Sequence, residues 1–341
     1  MNLNYDALLV VSFGGPEDPA DVIPFLENVL RGRNVPRERL LEVAKHYDHF
    51  GGVSPINAQN RALIAALQTE LAAHGPPLPI YFGNRNWHPL LPATIQQMAD
   101  DGVRRALAFF TSAYSSYSGC RQYRENIAAA REQVGPTAPE IDKLRAFFNH
   151  PGFVESMGEL LKSSLAIIPA DRRAAVAVVF TAHSIPMAMA ATCQYENQLR
   201  ETSRLVAELA GVTQWQLAYQ SRSGPPNQPW LEPDIGAVLR ESRTTRAAQD
   251  AVVVPVGFIS DHLEVLYDLD VEAQQICDEI GLNLVRCPTV GTQPRFVTMI
   301  RELIVERTSN APQRLTLGSL AACPDVCPVD CCRYEPRRPS P

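Results

Sequence analysis

The sequence predicts an α/β fold of two Rossmann-like, doubly wound domains, each a parallel sheet flanked by helices, followed by a cysteine-rich tail. Three observations carry this expectation. Short apolar segments alternate with amphipathic ones, which is the pattern of βαβ units. The alternation restarts near His150-Pro151, so about four strands fall in each half. Four of the eight cysteines crowd between residues 323 and 332, past the last periodic segment.

The elements follow in order. Ala7 to Phe13 is an apolar strand closed by Gly14-Gly15-Pro16. Residues 57–73 form a helix with an apolar stripe at 63, 64, 67 and 71. Strands at 79–82 and 105–110 are separated by a helix at 94–101, and a helix at 120–134 closes the first round. The second round opens with a helix at 153–165 and the very apolar strand 174–180. A helix at 195–210, a strand at 214–219 and a helix ending within 244–249 come next. A strand at 251–259, a helix at 271–280, a strand at 283–287 and a last helix at 295–306 complete it. The expected division is residues 1–150, residues 151–291 and a tail over 309–341.

Composition narrows the function. At 341 residues, 45% apolar and 20% charged, the chain is long enough for two ordinary domains. A net charge of −6 argues against a general nucleic-acid binder. No apolar run reaches the length of a membrane-spanning helix, and the N-terminal residues lack the regions of a signal peptide. A cytoplasmic location is expected, where cysteines stay reduced. The glycine patterns of dinucleotide and P-loop sites are absent. Oligomeric state is left open.

The candidate chemistry lies at strand ends. Glu264, Asp268 and Glu272 recur every fourth residue after the strand at 251–259, so a helix would bring them to one face. Such a stripe repels itself unless a cation sits against it, and a divalent metal is the natural one. His183 follows another buried strand of the same half, where open α/β sheets build their sites. A neutral imidazole there can accept protons or bind metal. Phe13, Tyr114, Tyr117, Tyr123, Tyr219 and Trp230 at loop positions suit a large planar ligand. Arg31, Arg33, Arg37, Arg39 and Lys45, behind the apolar Val22 to Leu30 segment, suit a ligand with several carboxylates. That pairing fits either a lip over a cleft or a shallow contact with a membrane surface. In the tail, Cys323, Cys327, Cys331 and Cys332 read as thiolate ligands for zinc or an iron–sulfur cluster. Adjacent cysteines do not easily aim both sulfurs at one iron, so a further ligand is expected from elsewhere. Cys120 is the best placed. Cys277 and Cys287 sit in apolar settings and read as core.

With these residues assembled, the chain resembles the ferrochelatases, which insert ferrous iron into a porphyrin in haem synthesis. The resemblance rests on Ser12-Phe-Gly-Gly-Pro16, Gly51-Gly-Val-Ser-Pro-Ile56, Thr181-Ala-His-Ser-Ile-Pro186, Gln220-Ser-Arg-Ser-Gly224 with Pro229-Trp230, and Ser260-Asp-His-Leu-Glu264. It spans about residues 5–308. It implies a porphyrin in a cleft between the domains and a C-terminal helix, about 292–308, that returns to the first. It implies His183 as the active-site histidine and Glu264 as its partner on the opposite wall. Asp268 and Glu272 become an acidic line guiding metal or protons, and Ser54 and Tyr123 porphyrin contacts beside Phe13 and Trp230. It implies a 2Fe-2S cluster held by Cys120 and three of the four tail cysteines. Two features depart from family patterns. Phe13 stands where some bacterial members have a metal-contacting tyrosine, and the tail spacing differs from that of animal members. The substrates implied are Fe(II) and a porphyrin. The arginine-rich lip favours coproporphyrin III over protoporphyrin IX. A cobalt chelatase and a non-catalytic tetrapyrrole carrier are the competing expectations.

Overall fold

In a computed structural model the chain forms two four-stranded parallel sheets with strand orders β2-β1-β3-β4 and β6-β5-β7-β8. The structure describes residues 4–32, 35–225, 227–309 and 314–334, so Arg33 of the basic group lies outside it. The first sheet comprises β1 (Ala7–Ser12), β2 (Ile80–Asn84), β3 (Arg105–Phe110) and β4 (Glu140–Lys143). The second comprises β5 (Ala177–His183), β6 (Trp215–Gln220), β7 (Asp250–Val254) and β8 (Asn283–Arg286). Central strands are covered on both faces and are therefore apolar without alternation. Leu8, Leu9 and Val11 are 0% exposed, and each such side chain contributes about 2 kcal/mol on burial.

In the first half, α1 (Val22–Val29) and α2 (Arg37–Asp48) precede α3 (Ile56–His74). They are followed by α4 (Leu91–Asp100) and α5 (Gln122–Val134). The second half has α6 (Pro151–Ile167), the short α7 (Met187–Ala190), α8 (Tyr195–Leu209) and α9 (Ile235–Thr245). Then come α10 (Leu263–Leu266), α11 (Gln274–Ile280) and α12 (Pro294–Ser309). Helix α3 buries Leu63, Leu67 and Leu71 along one stripe. It stops at Gly75, whose φ of 70° a side chain would strain. Helix α12 packs against both α3 and α6 and so ties the halves together. At Gly152 a Cβ would lie 2.6 Å from the Met299 Cβ, so only glycine permits the close approach of α6 to α12.

Several boundaries differ from expectation. The strand expected over 251–259 ends at Val254, because Pro255 has no N–H for the ladder. The strand expected over 174–180 runs three residues further, so His183 is its last residue. The sequence Glu-Ile-Asp-Lys of β4 has no buried run and went unrecognised; its edge position requires none. Helices α1 and α2 carry the apolar and basic segments expected as a lip over a cleft or a shallow membrane contact. The helix expected from Val271 instead continues a run that begins at Leu263.

The two halves are joined by buried and partly buried hydrogen bonds. Tyr114 Oη donates to the Val256 carbonyl at 2.9 Å, and Thr202 Oγ1 to the Phe148 carbonyl at 2.8 Å. Asp261 N–H donates to Gln59 Oε1 on α3 at 2.8 Å. Buried polar groups cost too much to leave unpaired for these bonds to be loose.

Candidate active site

In each sheet the chain order reverses between the first and third strands to form. In the second half this places a crevice at the carboxyl ends of β5 and β7. His183 ends β5, and Glu264 lies in α10 beyond β7. What brings them together is Gly257. Its N–H donates to the Thr181 carbonyl at 2.9 Å, and a Cβ there would sit 2.6 Å from the Ala182 Cα. Gly257→Ala is expected to cost about 2–3 kcal/mol in urea denaturation and to move Glu264 away from His183. Wild-type stability in that variant would show that the two segments slide past each other freely.

The geometry of His183 fixes its tautomer. Its Nδ1 lies in short contact with the Ser184 carbonyl, which can only accept, so Nδ1 carries the proton. In the neutral ring Nε2 is then the free acceptor. It stands 3.7 Å from Glu264 Oε2, and both side chains are partly open to solvent. Tyr195 Oη anchors the backbone by donating to the His183 carbonyl at 3.0 Å. The expectation that Glu264 faces His183 across a porphyrin does not hold in this structure. A flat ring with contacts on both faces needs about 7 Å, twice the separation seen. The two residues belong to one wall.

From Glu264 the helical run passes through a π-helical stretch, Tyr267–Ala273, into α11. Wider turns of this kind occur often at functional sites. Asp268 is the most perturbed of the stripe. Burial, then repulsion from Glu264 and Glu272, pushes its carboxyl up to about 7, against hydrogen bonds from Ser221 and Gln220. Gln220 Nε2 donates at 3.2 Å, and the Ser221 hydroxyl makes a shorter bond. Ser221 does so from a left-handed backbone, φ 62°, which costs a non-glycine residue about 1 kcal/mol or more. Burial raises Glu272 as well.

Linkage gives a pH test. Folded Asp268 keeps its proton to about pH 7, whereas an ordinary aspartate gives it up near 3.8. Between those values the folded chain binds more protons than the unfolded one, so Asp268 makes stability fall as pH rises. Asp268→Asn should flatten that fall and match or exceed wild-type stability at about pH 8. An unchanged pH profile of the denaturation midpoint would contradict the placement.

The lip closes over this wall from the first half. Val22, Phe25, Leu26, Leu40 and Tyr47 pack with Leu263, the residue before Glu264. His46 stacks on Tyr267 with ring centroids 3.8 Å apart. Arg37 and Arg39 are exposed and pair with Glu27 and Glu42; Arg31 and Lys45 are also exposed. Phe13, at the end of β1, is 37% exposed and touches Phe25 edge-on at 6.3 Å. Ser54 and Tyr123 are buried, at 4% and 5% exposure. Tyr123 lies beneath Arg85, whose guanidinium is 4.6 Å from its ring and 5.7 Å from that of Phe13. Trp230 is half-buried against Gly224, where a Cβ would come within 2.3 Å of its Nε1.

The cysteines sort themselves. Cys120 and Cys327 act on each other electrostatically, as do Cys327 and Cys331, and the Cys331 and Cys332 sulfurs lie 3.5 Å apart. The Cys120 hydrogen bond and the charges of Lys143 and Arg124 hold the Cys327 thiol below the usual range, against burial. Cys323 stands apart, against Ser115 Oγ at 3.5 Å and Gln198 Nε2 at 3.4 Å. Cys277 and Cys287 are 0% exposed. Among the described residues no group of three or more His, Cys, Asp or Glu is arranged around a metal ion, and no helix is long and apolar enough to cross a membrane.

Comparison with known proteins decides the family. The family model described as Ferrochelatase matches residues 5–308. The chain belongs to the ferrochelatase family. It is 57% identical to a ferrochelatase of Rhodopirellula baltica over 98% of this chain and 95% of the relative. It is 51% identical to the coproporphyrin III ferrochelatase of Streptomyces coelicolor, again over 98% and 95%. Among solved structures, the sirohydrochlorin chelatase SirB of Bacillus subtilis subspecies spizizenii superposes with a TM-score of 0.53. That match has 13% identity and covers 91% of this chain and 98% of that one, a likeness of fold.

Within the ferrochelatase framework, some residues that shape the site carried no role in the sequence. Gln220 and Ser221 were visible only as part of a motif, although their place at the end of β6 is a signal of the same kind as that of His183. Gln59 and Tyr195 lie inside amphipathic helices and gave no signal at all.

Proposed function

We propose that this ferrochelatase-family chain inserts ferrous iron into coproporphyrin III, with release of two protons. The observation that carries the reading is the free Nε2 of His183, 3.7 Å from Glu264 at the head of a partly buried carboxyl line. Insertion requires two pyrrole protons to leave and iron to shed its water. His183 Nε2 accepts the two pyrrole protons in turn, passing the first to Glu264 on the same wall, and on to solvent, before it takes the second; Glu264 also faces the arriving iron. Asp268 and Glu272 pass iron inward or protons outward. Asp268, poised near neutrality, can gain or lose a proton at little cost. Phe13 supplies an apolar surface from the other half, and Trp230 a second. Ser54 and Tyr123 belong to this reading only if Arg85 and the Gly15 segment shift on binding.

The choice of coproporphyrin, with four carboxylates, is supported by the basic lip and by the names of relatives at about half identity. Anaerobic insertion with coproporphyrin III and protoporphyrin IX side by side tests it. A preference of about tenfold or more in kcat/KM for coproporphyrin is expected. Equal rates, or the reverse order, would defeat the choice.

A 2Fe-2S cluster held by Cys120, Cys327, Cys331 and Cys332 is part of the same proposal. What supports it is the donor chemistry: Cys120 and then the charges of Lys143 and Arg124 hold Cys327 low, and the Cys331 and Cys332 sulfurs lie 3.5 Å apart, although among the described residues no three of these thiols are gathered as a metal site. Cys331 and Cys332 would both serve as ligands. When bound, the cluster supplies a one-electron couple. Lys143, 8% exposed, and Arg121 hold the loop that carries it, donating to the carbonyls of Pro324, Val329 and Cys331. Persistent free thiols suit a cytoplasmic location. The division into 1–150 and 151–291, with 292–308 returning to the first domain, goes with this reading.

A further inference from the structure

The tail does not rest on one half of the molecule. Arg145 donates to the Leu315 carbonyl at 2.9 Å, Leu317 N–H to the Asn149 carbonyl at 2.8 Å, and Asn149 Nδ2 to the Leu320 carbonyl at 2.7 Å. These attach it to the first half and to the segment between the halves. Ser319 N–H donates to Glu201 Oε1 on α8 at 2.7 Å, and Gln198 of the same helix reaches Cys323. The tail therefore crosses the seam before it reaches Cys327. Two residues after Cys332 comes Tyr334. Its ring lies edge-on to Tyr117, centroids 5.8 Å apart, and Tyr117 opens the turn that carries Cys120. Its hydroxyl accepts a hydrogen bond from Gln228 Nε2 at 3.4 Å.

Gln228 belongs to the loop between β6 and α9. One end of that loop holds Asp268 through Ser221, and the other presents Trp230. The Pro229 carbonyl accepts from Met187 N–H at 3.0 Å, which fixes the loop to the segment after His183. Its middle, where exposed Ser223, Pro225 and Asn227 lie, is held by bonds within the loop itself, Arg222 Nη2 to the Gln228 carbonyl at 3.1 Å and Gln228 N–H to the Pro225 carbonyl at 3.0 Å.

We propose that Tyr334 is a positioning residue for this loop, seated by the same cysteines that surround Cys120. The tail acts as a strap from the cysteine site to the acid line and to Trp230. With Cys331 and Cys332 bound to the site of Cys120, Tyr334 is confined between Tyr117 and Gln228. When those cysteines are released, Tyr334 leaves and the loop loses an anchor. The confinement of Tyr334 rests on contacts already described; its dependence on the cysteines rests on the cluster reading above.

The test uses the full-length protein as purified. Tyr334→Ala should raise amide exchange over 221–231 about tenfold. It should raise the porphyrin KM several-fold with kcat nearly unchanged, and keep any cluster absorbance. Tyr334→Phe, which retains the ring on Tyr117, should give a smaller rise. Cys331→Ser should show the same faster exchange over 221–231. Wild-type exchange in Tyr334→Ala would overturn the proposal. Faster exchange in Tyr334→Ala but not in Cys331→Ser would overturn the dependence on the cysteines and leave the anchor. Absence of cluster absorbance in the wild type would fault the cluster reading alone, since the Tyr334→Ala exchange still reports on the anchor.

Discussion

Alanine at His183 is expected to lower the rate of anaerobic iron insertion by about two to four orders of magnitude, with porphyrin binding retained. The argument is local. Nδ1 is committed to the Ser184 carbonyl, so Nε2, 3.7 Å from Glu264, is the basic atom. His262, two residues before Glu264, is the weaker base, since burial lowers its proton affinity and it packs edge-on to Phe258 at 5.1 Å. The backbone at 183 is the end of a buried strand tied by Tyr195, so removing the side chain should leave the fold intact. Loss of free-base absorbance measures turnover, and fluorescence quenching measures porphyrin binding. Partial rescue by added imidazole would mark the loss as chemical. Turnover within tenfold of wild type would place the base elsewhere. Glu264→Gln tests the same wall independently, and its effect should be non-additive with His183→Ala because the two side chains face each other at 3.7 Å.

Serine at Cys120 carries the second large effect. Cys120 is 8% exposed and lies at the head of the thiol chain. Oxygen is a poor ligand for the soft metals that thiolates select. On the cluster proposed above, the variant is expected to lose visible cluster absorbance and about 3 kcal/mol of stability, a Tm lower by about 5 °C. Cys323→Ser is the control, because Cys323 contacts Ser115 and Gln198 instead of the other sulfurs. It should keep both the absorbance and the Tm. The opposite pattern would exchange the roles of Cys120 and Cys323.

What the sequence revealed and what it hid have physical reasons. Central strands such as β1 and β5 are buried on both faces, so their apolar runs are unmistakable, and His183 and Glu264 stand out by following them. The acidic spacing is local information as well. Edge strand β4 needs no apolar run and left none. The short distance between His183 and Glu264 was illegible because it depends on Gly257, whose importance is the absence of a Cβ at one close contact. The burial of Ser54 and Tyr123 depends on chain segments far away in sequence, among them Arg85. Which tail cysteines approach Cys120 likewise depends on the path of the tail across the seam.

The repeated strand order has a meaning beyond architecture. Strand β1 occupies in its sheet the place of β5, and β3 that of β7. After β3 comes a π-helical turn, Tyr117–Arg121, that carries Cys120; after β7 comes the π-helical stretch that carries Asp268 and Glu272. Two stations equivalent in chain topology thus hold different donor chemistries, sulfur in one half and carboxylate in the other. Soft and hard donor atoms are kept apart in a single chain by a framework used twice.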